Sequence, residues 1–310
     1  FVRNRVPIVL GVGGNDTAEV IETLGGFEMD GVDAILSVSP YYNKPTQEGI
    51  YQHYKSIANA SLRPIILYNV PGRTGSNMTA ETTLRLAKDF KNIIAIKEAS
   101  ANLHQIGTIL KHRPKEFMVI SGDDALTLPI IALGGEGVIS VVGNALPKEF
   151  STLVKAALKG DLPTARKEHY RLHELIDLLF VEGNPGGVKE VLHILGICGK
   201  TMRLPLPACT QYGGLKSFGS LMLSVRSTAQ RAERASTPTF CIMRSMQTCS
   251  TTTERSERTI CRGAPEVPPV LALSANSLDP LAKAAGAART CSFASSGQLA
   301  ISPPPRTIRP

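Results

Sequence analysis

The stretch NIIAIKEAS, residues 92–100, sets an ammonium and a carboxylate directly after a run of apolar residues. Ile93, Ile94, Ala95 and Ile96 read as a short strand, apolar on both faces, of the kind that fills the interior of a parallel sheet. Lys97 and Glu98 follow with no turn residue between. Burying a charge is unfavourable unless it is paired or neutralised. Taken alone, then, the segment favours a Lys97 that reaches solvent at the strand end. The rest of the chain shifts that balance.

Similar runs recur along the first two thirds of the sequence, at 7–12 (PIVLGV), 33–38 (DAILSV), 64–70 (PIILYNV), 93–97 (IIAIK), 117–121 (FMVIS) and 137–142 (GVISVV). Amphipathic segments of helical length separate them, as alternating strand and helix units require. Three further helices are expected near 147–159, 161–181 and 185–195. The last has Asn184 as a cap, Pro185 in the first turn and Gly196 at its end. Six such units are compatible with a doubly wound open sheet or with a (β/α)₈ barrel short of two units.

Composition divides the chain near residue 209. Residues 210–310 are rich in Ser, Thr and Arg, hold 12 Lys and Arg against 5 Asp and Glu, and keep no apolar period. They carry nearly all of the formal charge of +8 and read as a low-order tail. Positive charge scattered through an unpatterned tail, rather than clustered on a folded element, argues against a nucleic-acid partner. The cysteines, Cys198, Cys209, Cys241, Cys249, Cys261 and Cys291, form no C-x-x-C pair, so no structural zinc is expected. Their scarcity in the body suggests a reducing, cytoplasmic setting. No secretory signal and no run of membrane-spanning length is seen. The opening at Phe1, without Met, reads as a chain entering in mid-domain.

Other motifs lead nowhere. GVGGND (11–16) follows a strand but lacks the third glycine of a dinucleotide fingerprint. GICGKT (196–201) would need Gly at 194, where Ile194 stands, and it ends a helix rather than opening one. His169 and His173 lie four apart, flanked by Lys167 and Arg171, and read as a solvated helical face. What remains is a set of polar residues at strand ends: Tyr68 and Asn69, then Arg73 and Thr74 just beyond; Lys97 and Glu98; Ser121, Gly122, Asp123 and Asp124; Ile139 and Ser140. In a barrel of βα units, catalytic groups come from several strand ends on one face. Lys, Tyr and Arg on successive elements suit an amine-based carbonyl chemistry. A free lysine is neutral in only about one molecule in 2,500 at pH 7. Partial burial at a strand end would lower its pKa and free the amine for attack.

The motifs SPYYNKPTQEG (39–49), YNVPGRTG (68–75), IIAIKEAS (93–100), SGDD (121–124), GGEGVIS (134–140) and EGNPGGVK (182–189), in this order, resemble the dihydrodipicolinate synthase and N-acetylneuraminate lyase family of class I aldolases. The resemblance covers residues from about 5 to 207. The paired tyrosines and the arginine of VPGRTG favour its synthase branch. It implies a (β/α)₈ barrel lacking its first two βα units, with a partial barrel and C-terminal helices over 1–209 and the tail over 210–310. It also implies a lyase of lysine and diaminopimelate biosynthesis, condensing pyruvate with L-aspartate 4-semialdehyde without cofactor or metal.

By that resemblance Lys97 forms the Schiff base, Tyr68 relays protons and Tyr42 completes the relay in a neighbouring subunit. Arg73 holds the semialdehyde carboxylate, whereas Gly122 and Ile139 line the pyruvate pocket. Asn15, Glu19 and Tyr41 match positions that bind feedback lysine in regulated members, although Asn15 also suits a helix N-cap. Partners are then the two substrates and further copies of the chain, as a dimer of dimers, with no nucleic acid and no membrane. The family pattern also has a GTTGE-type loop in the units that precede this sequence, and a helix continuing beyond RLPL. The departures leave two alternatives: an inactive remnant of the fold, or another pyruvate-dependent aldolase.

Overall fold

A computed structural model describes residue 2 and residues 5–209. Among them, strands β1 (Val9–Gly11), β2 (Ala34–Val38), β3 (Ile65–Asn69), β4 (Ile93–Glu98), β5 (Met118–Ser121) and β6 (Gly137–Val138) pair in parallel and strictly in chain order. Helices α1 (Thr17–Gly26), α2 (Gln47–Ala60), α3 (Pro71–Thr74), α4 (Ala80–Asp89), α5 (Leu103–His112) and α6 (Thr127–Ala132) lie between the strands, and α7 (Pro147–Leu158), α8 (Leu162–Leu178) and α9 (Gly186–Ile194) follow them. A doubly wound sheet reverses its strand order and carries helices on both faces. Here the order never reverses and the sheet curls into a half-barrel.

The two faces have different neighbours. Ile35, Ile65, Leu67, Ile96 and Val119 pack against Val20, Leu24, Ile50, Tyr54, Ile57, Leu86, Ile106 and Ile109 of the surrounding helices. Opposite them, Val9, Ala34, Leu36, Ile66, Ala95, Met118, Ile120 and Ile139 form a cluster of strand and strand-end residues, with Tyr68 against it. Short polar side chains start the helices by satisfying orphan N–H groups. Asp16, Thr46, Thr79, Asn102 and Asp161 accept from the first turns of α1, α2, α4, α5 and α8.

One irregularity in the ladder matters to everything beyond it. Ile65 pairs with Ile93, but Ile66 pairs with Ala95, so β4 carries one extra residue against β3. Side chains alternate faces along a strand, so the bulge resets which face each later residue takes. Beyond it Tyr68 pairs with Lys97 and Asn69 with Glu98.

Three local expectations are corrected. The strand expected at 137–142 stops at Val138 and gives way to a 3₁₀ turn at Val142–Asn144. The reason is Asp124, whose Oδ2 accepts from the Val141 and Val142 N–H groups at 3.0 and 2.8 Å and draws them from the ladder. Asn184 does not cap α9; Pro185 occupies that position with no side-chain bond. The cap of α1 is Asp16 rather than Asn15. No helix among the described residues is long and apolar enough to cross a membrane. The tail at 210–310, with Cys241, Cys249, Cys261 and Cys291, lies outside the described residues.

His53 on α2 is buried, its Nδ1 2.9 Å from the Thr17 hydroxyl, and burial holds its pKa down at about 4. The native state therefore takes up this proton later than the unfolded chain as pH falls. The stability it contributes is complete above about 6.5 and is lost progressively towards 4. Urea midpoints should report a loss of about 2 kcal/mol between pH 7 and pH 5 from this group, a slope that His53→Gln should flatten.

Candidate active site

Lys97 ends the central strand pair on the concave side, opposite Tyr68 in register. Only 8% of it is exposed, and its Nζ sits over the Tyr68 ring, 4.2 Å from the centroid. The solvent-reaching lysine favoured by the NIIAIKEAS segment alone is thus not found. Burial lowers the Lys97 pKa to about 8; the Asp124 carboxylate opposes the shift and the Arg73 guanidinium adds to it. At that value about one amine in ten is neutral at pH 7. A neutral amine carries the lone pair that attacks a carbonyl.

The other groups come from successive strand ends. Tyr68, half-buried, has its phenol pKa raised by burial, with Arg73 acting in the opposite direction. Arg73 lies on the single turn α3, which Pro71 opens and Gly75 closes in a left-handed conformation at φ +74°. Its Nη2 donates to the Asn184 carbonyl at 3.5 Å, while the side chain stays exposed. Gly122 follows β5. A Cβ there would stand 2.8 Å from that of Ala99 and 3.0 Å from Lys97 Cε, so the lysine chain lies in space that only glycine leaves free. Ile139 is buried in the concave cluster.

Two loops carry the remaining predicted residues. Tyr41 and Tyr42 lie between β2 and α2, and Tyr42 is 87% exposed at φ +71°. Its N–H donates to the Thr74 carbonyl at 3.3 Å, which ties this loop to the turn that carries Arg73. Asn43 Nδ2 donates to the Asn15 carbonyl at 2.9 Å, so Asn15 and the Tyr41 loop are neighbours; Glu19 is exposed on the first turn of α1. Lys97, Tyr68, Arg73, Gly122 and Ile139 are therefore assembled around one end of the sheet. Tyr41, Tyr42 and Glu19 are exposed and Asn15 half-buried, outside that assembly.

Two buried carboxylates were given no role from sequence. Asp124 bridges the end of β5 to the segment after β6. Burial raises its pKa, and the Ser140 hydroxyl and two backbone N–H groups hold it back. Glu98 lies behind the sheet, fully buried, and accepts from Asn69, Ser100 and Gln105. The signal for Glu98 was its place one residue past Lys97 in an otherwise apolar strand. Among the described residues no group of three His, Cys, Asp or Glu could hold a metal ion. What the geometry offers instead is a partly neutral amine, a phenol and a guanidinium beside an apolar cluster.

Comparison with known proteins finds relatives of this chain. The Dihydrodipicolinate synthetase family matches residues 1–216. A 4-hydroxy-tetrahydrodipicolinate synthase of Parabacteroides distasonis is 60% identical over 205 residues, which are 66% of this chain and 69% of that one. A crystal structure of the chloride-inhibited dihydrodipicolinate synthase from Acinetobacter baumannii complexed with pyruvate superposes with a TM-score of 0.68 at 39% identity, covering 71% of this chain and 76% of the other. The lysine-bound enzyme from Cyanidioschyzon merolae superposes with a TM-score of 0.66 at 42% identity, covering 70% and 73%.

Burying Lys97 has a measurable counterpart in stability. Its pKa is lower in the native state than in the unfolded chain, so the fold carries the full penalty below about 8 and loses it as pH rises through the unfolded value of 10.5. Lys97→Met should raise the unfolding free energy by about 2–3 kcal/mol at pH 7 and by less than about 1 kcal/mol at pH 10, read from urea curves at both.

Proposed function

The chain belongs to the dihydrodipicolinate synthetase family of class I aldolases, and from that premise we propose that it condenses pyruvate with L-aspartate 4-semialdehyde through a Schiff base on Lys97. The observation that carries the proposal is the buried Lys97 amine, with its pKa near 8, lying against Tyr68 at the strand ends.

Lys97 Nζ adds to the keto carbon of pyruvate, and loss of water leaves the imine. A proton then leaves the adjacent methyl group, giving an enamine. That carbon attacks the aldehyde carbon of the second substrate, and the aldehyde oxygen takes up a proton to become the product hydroxyl. The substrate's own amine adds to the imine carbon and expels Lys97 Nζ. This closes the ring and frees the lysine for another turnover.

Tyr68 relays protons to and from the pyruvate oxygen and the imine. A phenol whose pKa is raised by burial remains protonated at neutral pH, as a donor to a departing hydroxide requires. Arg73, exposed at the pocket mouth, takes the semialdehyde carboxylate, a planar fork meeting a planar anion. Gly122 and Ile139 line the pyruvate side. The exposed Tyr42, with Tyr41 beside it, meets a second copy of the chain and extends the relay across a dimer-of-dimers interface. Asn15, Glu19 and Tyr41 form a lysine-responsive surface; the lysine-bound relative and the contact between Asn43 and Asn15 support that reading.

Incubation with pyruvate and borohydride should leave a stable adduct on the peptide that carries Lys97. An adduct on Lys44 or Lys189 would refute the assignment. Arg73→Ala should cut condensation by about a hundredfold while sparing pyruvate trapping; equal loss of both would place Arg73 with pyruvate instead.

A further inference from the structure

On the convex side of the sheet, the residues one position beyond Tyr68 and Lys97 build a closed polar ring. Asn69 and Glu98 are register partners. Asn69 Nδ2 donates to both Glu98 oxygens, at 3.1 and 3.2 Å. Gln105 Nε2, from α5, donates to Oε2 at 3.1 Å, and the Ser100 N–H donates to Oε1 at 2.8 Å. Asn77 closes the ring: its Oδ1 accepts from Asn69 at 2.8 Å and its Nδ2 donates to Gln105 Oε1 at 2.8 Å. The Met78 N–H donates to Asn69 Oδ1 at 3.0 Å, which fixes the orientation of that amide.

We propose that Glu98 is a positioning residue for the reaction, a buried anion that locks the ends of β3 and β4 together from behind and so fixes Tyr68 against Lys97. The inference rests on the Schiff-base reading above. Its force comes from the direction of the hydrogen bonds. These partners of the carboxylate all donate, so the ring is satisfied by the anion. A neutral carboxamide at 98 would turn its own N–H groups against those of Asn69 or Gln105, and buried groups left unmatched in this way are costly. Burial raises the Glu98 pKa, and the bonds from Ser100, Asn69 and Gln105 oppose that rise. Tyr68 and Lys97 have no such ring of their own. Their backbones lie in the strand ladder, and one residue further on the Ala99 N–H donates to the Asn69 carbonyl and the Gly122 N–H to that of Glu98, at 2.9 and 2.8 Å. A displacement of about 1 Å at a reacting group can cost about a hundredfold in rate.

The test is Glu98→Gln in the full chain. Two readouts separate positioning from mere stability. One is the rate of borohydride trapping at saturating pyruvate, per folded molecule. The other is the pH dependence of Lys97 acetylation by trace acetic anhydride, which needs no substrate and reports the amine itself, including its pull from Asp124 and push from Arg73. We expect trapping to fall about tenfold or more with KM for pyruvate within about threefold, and the acetylation midpoint to move upward as Lys97 loosens into solvent. The exchange Asn69→Asp with Glu98→Gln returns one carboxylate to the ring and should restore most of both. An unchanged rate and midpoint in folded Glu98→Gln would overturn the proposal, as would an exchange variant no better than Glu98→Gln. Should Glu98→Gln fail to fold, Gln105→Leu, which removes a single donor, takes its place: a raised midpoint supports the proposal and an unchanged one overturns it. If the parent chain itself traps no pyruvate at Lys97, the Schiff-base reading fails, whereas the acetylation midpoints still decide whether Glu98 positions the lysine.

Discussion

Taking the Lys97 ammonium out of water is unfavourable, and the end of the sheet is arranged around that fact. Apolar side chains of the concave cluster withdraw solvent, and Arg73 adds like charge. Gly122 leaves out the one carbon that would push the lysine chain aside. Asp124 works against these effects and favours the charged amine. A pKa near 8 is the compromise, close enough to neutral pH for both protonation states to be populated. The same burial that lowers the Lys97 pKa also weakens the fold, so the rest of the molecule has to be stable enough to carry it.

The sheet uses its two faces for different work. Alternation along β3 and β4 sends Tyr68 and Lys97 to one side and Asn69 and Glu98 to the other. The concave side carries the apolar cluster and the Lys97 amine over the Tyr68 ring. The convex side is sealed by helices, where an ionised carboxylate can be held only because Asn69, Ser100 and Gln105 all donate to it. Rigid support from behind a reactive pair is what keeps preorganised groups aligned.

Much of this was legible in the sequence because apolar runs at regular spacing are a strong signal. Five of the six expected strands occur where the runs stand; four are trimmed at their ends, and β4 runs one residue further, through Glu98. The sixth was over-extended, since Val141 and Val142 look like strand residues and only the fold brings Asp124 to their N–H groups. The cap of α9 was misplaced by one residue: the helix begins at Gly186, so Pro185, which has no side-chain acceptor, stands at the cap position. Lys97 and Tyr68 could be picked out because their residue types are out of place at the ends of apolar strands, whereas Arg73, on the turn beyond β3, stood out only through the VPGRTG motif. Glu98 and Asp124 were visible as letters but not as roles, because a buried carboxylate is defined by partners distant in the chain. The facing of Lys97 was the least legible of all. A strand that is apolar on both sides carries no period from which to read it.

That facing is decided by one extra residue between Ile93 and Ala95. Within this run, exchanging one aliphatic side chain for another is a matter of fit. Removing a single residue is different in kind, because the phase of the strand shifts by half a repeat. The amine would then be turned towards the helices and the carboxylate towards the concave cluster. The segment is thus permissive in composition yet strict in length, and an evolving gene could drift through many spellings of it while tolerating no change in its count.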